Sequence, residues 1–296
     1  MSGIVVINKG EGISSQGVVK RVSRLFGEPK AGHTGTLDPM ATGVLPVLVG
    51  RAVKASEYML ASDKYYRATL KLGLTTDTED ITGEVLTECA DIPADNEVLA
   101  AVKKFEGKIM QTPPMYSALK VGGKKLCDIA RAGGKIEREA REITVHSIKA
   151  AKITYDTYFL DVHCSKGTYI RTLCADIGAT LGCGGVMATL ERTRASVFTL
   201  DDAHTLSEIE ALTESERDSL IVPTERVFDS YEKITLDSFF ARLARCGVEI
   251  YLKKIGKQIP VGTRVTLYDE LGFFALAEVR EFEGGTAIKP IKQFDV

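Results

Sequence analysis

The segment Gly32-His33-Thr34-Gly35-Thr36-Leu37-Asp38-Pro39 concentrates residue types that can hold a reactive group still. Glycine admits backbone conformations and close approaches that a side chain would block. Proline restricts the residue before it to extended geometry, so Asp38 is presented from a stiff loop and not from a helix. An unperturbed aspartate titrates near ~3.9, so Asp38 offers an ionised carboxylate at neutral pH. That group can cap the amides of a tight turn, or attack a substrate and split one hard step into two. On this segment alone both readings stand. A phosphate-cradling loop does not, because no Gly-Lys-Ser/Thr follows. Other chemistry is sparse. The chain has four histidines, and His163-Cys164 has no partner at ligand spacing, so no metal site is expected. Asp77, Glu79 and Asp80 lie in one acidic turn-rich loop and could supply the second carboxylate that a retaining nucleoside hydrolase needs.

The surrounding elements must position that loop. Ile4-Val5-Val6-Ile7 is an apolar, β-branched run and predicts a buried strand. Ser14 and Ser15 are candidate N-caps for a helix whose apolar positions are Val18, Val19, Val22, Leu25 and Phe26, stopped by Gly27. A helix is expected over residues 52–60 and an alternating strand over 65–72. Residues 96–105 have helical spacing, and Pro113-Pro114 forces an extended stretch. Glycines and lysines over residues 116–135 predict a mobile basic arm with a short helix. Strands are expected over 143–153 and 158–164, and a helix over 168–181. One short helix is expected in the acidic stretch after Leu200. From Ile234 onward a helix over 238–246 precedes strand-and-glycine patterns. The mixture predicts an α+β domain around a largely antiparallel sheet, with a small β-rich C-terminal unit.

At 296 residues, with 44% hydrophobic and 26% charged residues, the chain has an ordinary globular composition. No apolar run approaches the roughly 18–20 residues needed to cross a membrane. Nor does the N-terminus resemble a signal peptide, and a cytoplasmic protein is expected. Six cysteines without a CxxC pair are expected to be reduced, buried thiols. The net charge of −2 does not suggest nucleic-acid binding, but its distribution does. Residues 101–175 carry 14 Lys/Arg against 7 Asp/Glu, whereas residues 201–232 carry 10 acids against 2 bases. Phosphate binding depends on the local face and not on the total.

Several segments in order resemble one family. Residues 32–50 resemble the catalytic motif of the TruB-type tRNA pseudouridine-55 synthases. So do Asn8-Lys9 with Gly12-Ile13-Ser14-Ser15, then Asp63-Lys64-Tyr65-Tyr66-Arg67, then Pro113-Pro114-Met115-Tyr116-Ser117-Ala118-Leu119-Lys120. The fifth is Cys164-Ser165-Lys166-Gly167-Thr168-Tyr169-Ile170-Arg171-Thr172-Leu173. The resemblance spans residues 4–194.

It implies a pseudouridine synthase fold, with a catalytic domain over 1–230, a thumb-like RNA-binding insertion around 108–140, and a PUA-like domain over 231–296. The implied activity isomerises uridine to pseudouridine at position 55 in the T-loop of tRNA, through a catalytic aspartate and base flipping. By resemblance Asp38 is the nucleophile, Arg171 pairs with it, and Tyr66 stacks on the base and accepts the proton at carbon-5. Tyr169 and Leu190 line the uridine pocket, Lys9 supports the site, His33 inserts where the base has left, and Lys120 touches RNA. Gly10 replaces the family's usual proline, and Cys127 stands where an aromatic is commoner. The implied protein is a monomer that binds the tRNA T-arm, with no cofactor and no metal. Three alternatives remain beside it: a guide-RNA-dependent synthase of the same fold, a non-catalytic RNA-binding relative, and the hydrolase.

Overall fold

The computed structural model of the chain describes residues 2–134 and 136–294. Lys135, which ends the expected basic arm, and Asp295 and Val296 at the end of the expected C-terminal unit lie outside the described residues. Strand β1 (Gly3–Lys9) leads through helix α1 (Ser15–Leu25) and β2 (Ala31–His33) to β3 (Thr42–Val49). A 3-10 stretch over Gly50–Ala55 and helix α2 (Ser56–Leu60) precede β4 (Lys64–Leu72). Then come the hairpin β5 (Leu74–Thr76) and β6 (Val85–Glu88), helix α3 (Asp95–Lys103) and β7 (Gly107–Gln111). An excursion holds β8 (Lys120–Val121), β9 (Lys124–Lys125) and α4 (Leu126–Arg131). The chain returns through β10 (Arg141–Lys152), β11 (Thr157–Cys164), α5 (Ile170–Leu181), β12 (Gly185–Ala195) and β13 (Phe198–Thr199). Helices α6 (Leu206–Ala211) and α7 (Glu214–Ser219) connect to β14 (Glu232–Thr235), α8 (Ser238–Arg245), β15 (Ile250–Tyr251), β16 (Arg264–Asp269), β17 (Gly272–Phe282) and β18 (Gly285–Gln293).

The main sheet is nine-stranded, with the path β1-β3-β12-β4-β11-β10-β7; β2 pairs with β3 and β13 with β12. Its pairings are antiparallel except β12 with β3. That is the mixed, largely antiparallel sheet the sequence predicted. Both faces of β1 are covered, which explains its unbroken apolar run: Val5 and Ile7 face the helices, while Ile4 and Val6 face a second core. Ser14 caps α1 by accepting from Gly17 N–H at 3.0 Å, and Val18, Val19 and Val22 bury one stripe of the helix. Each fully buried Val, Leu or Ile contributes roughly 1.5–3 kcal/mol. Helix α5 lies directly on β12. A methyl group on Gly178 would fall 2.1 Å from the Gly185 nitrogen, so only backbone fits between them.

Residues 232–293 form a separate five-stranded sheet, ordered β14-β16-β17-β18-β15, with its own core around Val265, Leu267 and Phe274. Phe228 joins the two units. Its ring meets Tyr58 from the main unit, Phe273 and Phe294 from the second, and Tyr231 between them. Strand β12 was absent from the sequence expectations. Its polar run Thr-Leu-Glu-Arg-Thr-Arg does not alternate cleanly, because buried Arg192 occupies an inward position. The expected helix over 52–60 is half 3-10, and the acidic stretch holds two short helices instead of one. Of the cysteines, Cys164, Cys174 and Cys183 are buried, Cys89 and Cys127 are half-buried, and Cys246 is exposed, so burial was over-expected.

Candidate active site

Asp38 sits in the loop between β2 and β3, and nearly every polar backbone group around it has a partner. The Ser15 hydroxyl accepts from Leu37 N–H at 2.8 Å and donates to Leu37 C=O at 3.0 Å. Gly12 N–H donates to the Pro39 carbonyl at 2.8 Å, and Ala41 N–H to the Asp38 carbonyl at 3.0 Å. The ammonium of Lys9, a fully buried residue, donates to the carbonyls of Gly10 (2.8 Å), Ile13 (2.8 Å) and Pro39 (3.1 Å). Burial brings Lys9 down to about 8, which leaves it protonated at neutral pH. Its bond to Gly10 ties down the turn that follows β1.

Arg192, also fully buried, donates from Nε to Val44 C=O at 2.8 Å and from Nη2 to Gly35 C=O at 3.1 Å. Gly43 (φ +99°) makes this seam possible, because a Cβ there would lie 2.3 Å from the Arg192 carbonyl oxygen. Asp38 therefore projects from a loop stapled by α1, β1 and β12.

The carboxylate meets Arg171 in the first turn of α5. Arg171 Nε lies 2.9 Å from Asp38 Oδ2, and Nη2 lies 3.5 Å from Oδ1. Two nitrogens thus face two oxygens, a fork that a point charge cannot reproduce. Arg171 is 5% exposed, while about a third of the Asp38 side chain (34%) is exposed, leaving an approach to the acid. The guanidinium is held from behind: Nη1 donates to Thr78 C=O at 2.9 Å and Nη2 to Tyr116 C=O at 2.7 Å, with Asp80 Oδ2 at 3.7 Å. Gln111 fixes the start of α5 by bonding both backbone groups of Tyr169, at 2.8 and 3.0 Å. Burial pushes the Asp38 carboxyl above its ordinary value; Arg171 and Lys9 pull it down, and Asp80 adds to the rise.

Tyr66 on β4 is buried opposite Arg192. Burial is the main reason its phenol is raised; Arg192 beside it lowers it, and nearby Asp38 adds to the rise. Leu190 lies two residues before Arg192, on the same face of β12, opposite Ala68. His33 ends β2; burial first and Arg192 second hold it below the usual imidazole value. Its Nδ1 is buried without a hydrogen-bond partner among the described residues. Asp38, Arg171, Lys9 and Tyr66 thus come together, with His33 linked to them through Arg192. Lys120 does not join them, but lies exposed on the β8–β9 hairpin.

The acidic loop has a different part from the one its composition suggested. Asp80 Oδ1 accepts from Thr78 Oγ1 (2.9 Å), Thr82 N–H (3.0 Å) and Thr82 Oγ1 (2.6 Å), so Asp80 is committed to holding the loop beneath Arg171. Glu79 accepts from Thr172 Oγ1 at 2.5 Å. Neither is free to serve as the acid of a hydrolase. Ser15, Gln111 and Arg192 were missed by sequence reasoning. Ser15 looked like a helix cap, and the tertiary partners of all three are backbone groups that leave no motif. Strand pairing brings His163 to His146 and Asp63, partners that linear spacing did not suggest.

Residues 23–170 match the TruB family pseudouridylate synthase N-terminal domain, and residues 171–229 match the tRNA pseudouridylate synthase B C-terminal domain. A tRNA pseudouridine synthase B from Alkaliphilus oremlandii is 43% identical over 282 residues, covering 95% of this chain and 94% of that protein. One from Neisseria meningitidis serogroup B is 42% identical over 283 residues, covering 95% and 91%. Among solved structures, a chain in a Cbf5-Nop10-Gar1 complex superposes with a TM-score of 0.73 at 26% identity, over 99% of this chain and 84% of that one. Together with the sheet order, these matches show that the chain belongs to the TruB family of pseudouridylate synthases.

Proposed function

We propose that this pseudouridine synthase acts on the uridine at position 55 in the T-loop of tRNA, with Asp38 as its nucleophile. The observation that carries the reading is the partly exposed Asp38 carboxylate, forked by buried Arg171 in a loop pinned by Ser15. The reaction breaks the N-glycosidic bond, turns the base, and rejoins it to the sugar through carbon-5. The proton lost from carbon-5 is balanced by one gained at nitrogen, so nothing is consumed.

Asp38 holds the substrate covalently while the base turns. Tyr66 stacks on the base and receives the carbon-5 proton. Its raised phenol is protonated at rest, so before taking that proton Tyr66 hands its own to the base nitrogen, and Arg192 beside it stabilises the phenolate formed in between. Tyr169 and Leu190 close the pocket. Neutral His33, with an unpartnered Nδ1, fills the space the uridine leaves, and extrusion from a loop costs less than from a duplex.

Residues 112–134 and 136–140 leave the sheet between β7 and β10 and carry exposed Lys120 and Lys124, which contact RNA phosphates. The unit over 231–296 is a PUA-like module that binds the same RNA. The enzyme works as a monomer without a guide RNA. The two relatives named tRNA pseudouridine synthase B match at 42–43%, well above the 26% of the Cbf5 chain.

Purified protein is incubated with a T-arm stem-loop labelled at the target uridine, followed by nucleoside analysis. Wild type forms pseudouridine unaided, whereas Asp38→Asn forms none while still binding the hairpin. Full activity in that variant would overturn the assignment.

A further inference from the structure

Strands β4, β11 and β10 run side by side and deliver three ligating side chains to one point. Asp63 immediately precedes β4, His163 stands in register with Tyr65 on β11, and His146 is on β10. Between Val145 and Ser147 the β10–β11 register slips, since Val145 faces Cys164 and Ser147 faces His163, so His146 is the extra residue of a bulge. Bulges re-aim side chains and recur beside functional sites. Here the bulge turns His146 onto the acid that His163 also meets. The two Nε2 atoms converge on one oxygen, Asp63 Oδ2, at 3.2 and 3.5 Å.

We propose that Asp63, His146 and His163 form a binding site for a single Zn2+-type divalent transition-metal ion. Donors bound tetrahedrally at ~2.0–2.1 Å stand about 3.3 Å apart, and the two measured separations bracket that value. All three ligand atoms lie within 4.8 Å of one another, so side-chain rotation alone closes the site. Two imidazoles and one carboxylate suit zinc and its neighbours, not magnesium or calcium, which prefer all-oxygen shells.

The His163 ring is already oriented. It stacks on Tyr65 at 4.0 Å with an interplanar angle of 7°, and the Arg194 guanidinium lies over the same tyrosine ring at 5.4 Å. Such packing around a ligand fixes the direction of its lone pair. The fourth position opens toward a cavity of about 490 Å³ lined by Asp63, His163, Tyr65, Arg194, Tyr231 and Arg264, where water or an anionic group completes the tetrahedron. Tyr65 and Tyr66 are consecutive on β4 and point to opposite faces, so this site lies on the far side of the sheet from Asp38. The ion clips three central strands and takes no part in isomerisation.

The test uses the full chain, stripped with a chelator and titrated with Zn2+ by calorimetry, with Mg2+ as control. Wild type binds one Zn2+ saturably and gains melting temperature in proportion to metal, while Mg2+ does nothing. His146→Ala, on the exposed bulge, and Asp63→Asn, of equal size, each bind at least about tenfold more weakly and lose the thermal gain. Substituted Co2+ shows intense tetrahedral visible bands in wild type only. Absence of saturable Zn2+ binding by wild type would overturn the proposal. Unchanged affinity in both variants would also do so, and would place the ion at other ligands such as exposed Cys246.

Discussion

Asp38 is pulled in opposite directions. Removal from water raises its carboxyl and Asp80 adds to the rise, whereas Arg171 and Lys9 lower it, and the net is upward. A carboxylate attacks only when ionised, so turnover falls as pH drops through this raised value. The acid limb of the rate profile therefore lies above the ordinary aspartate value. Asp80→Asn removes one raising charge, and the limb moves to lower pH in single-turnover measurements; an unmoved limb would mean that another group sets it. Arg171→Lys keeps the charge but loses the fork and its two carbonyl anchors. Its rate drops roughly 10²-fold, the scale of one aimed donor in a transition state, with KM little changed. A variant within a factor of two of wild type would remove Arg171 from the chemistry.

Ser15 shows how an element holds a loop. Its hydroxyl answers both backbone groups of Leu37, one residue before the nucleophile. Ser15→Ala leaves a buried N–H and C=O unpaired and costs about 1–3 kcal/mol. Thermal melting reads that loss, and kcat falls more than KM rises because the acid is loosened and not removed. Stability and kcat both at wild-type level would mean that the loop is held elsewhere. The same scale separates what the sequence disclosed from what it hid. The stiffness of the Asp38 loop was legible, because Gly and Pro restrict the backbone locally. Strand β4 was legible from alternation. Strand β12 was not, since Arg192 is an arginine at a core position and is satisfied by the carbonyls of Gly35 and Val44, which folding brings in from elsewhere. The pairing of Arg171 with Asp38 came by resemblance; nothing in their spacing, 133 residues apart, announces it.

Across the whole molecule, Phe228 is the joint between the two sheets. Its ring touches aromatic partners from both, and the shared core includes Leu276 and Phe294 from the second unit beside Ile4 and Val44 from the first. Truncating such a residue costs about 3–5 kcal/mol, which lowers the melting temperature on the order of 10 °C. Phe228→Ala should therefore split one cooperative calorimetric transition into two, with the C-terminal sheet melting first. A single transition at the wild-type temperature would show that the units do not depend on each other through this ring.

The contact between Gly178 and Gly185 sets the spacing of the catalytic pair from a distance. Backbone rests on backbone there, a separation that no rotamer can relax. The guanidinium at the front of α5 rides about 10 Å up the same rod. Any added methyl would act as a wedge under the helix and swing its far end away from the carboxylate, so damage to a featureless seam would be felt as lost chemistry.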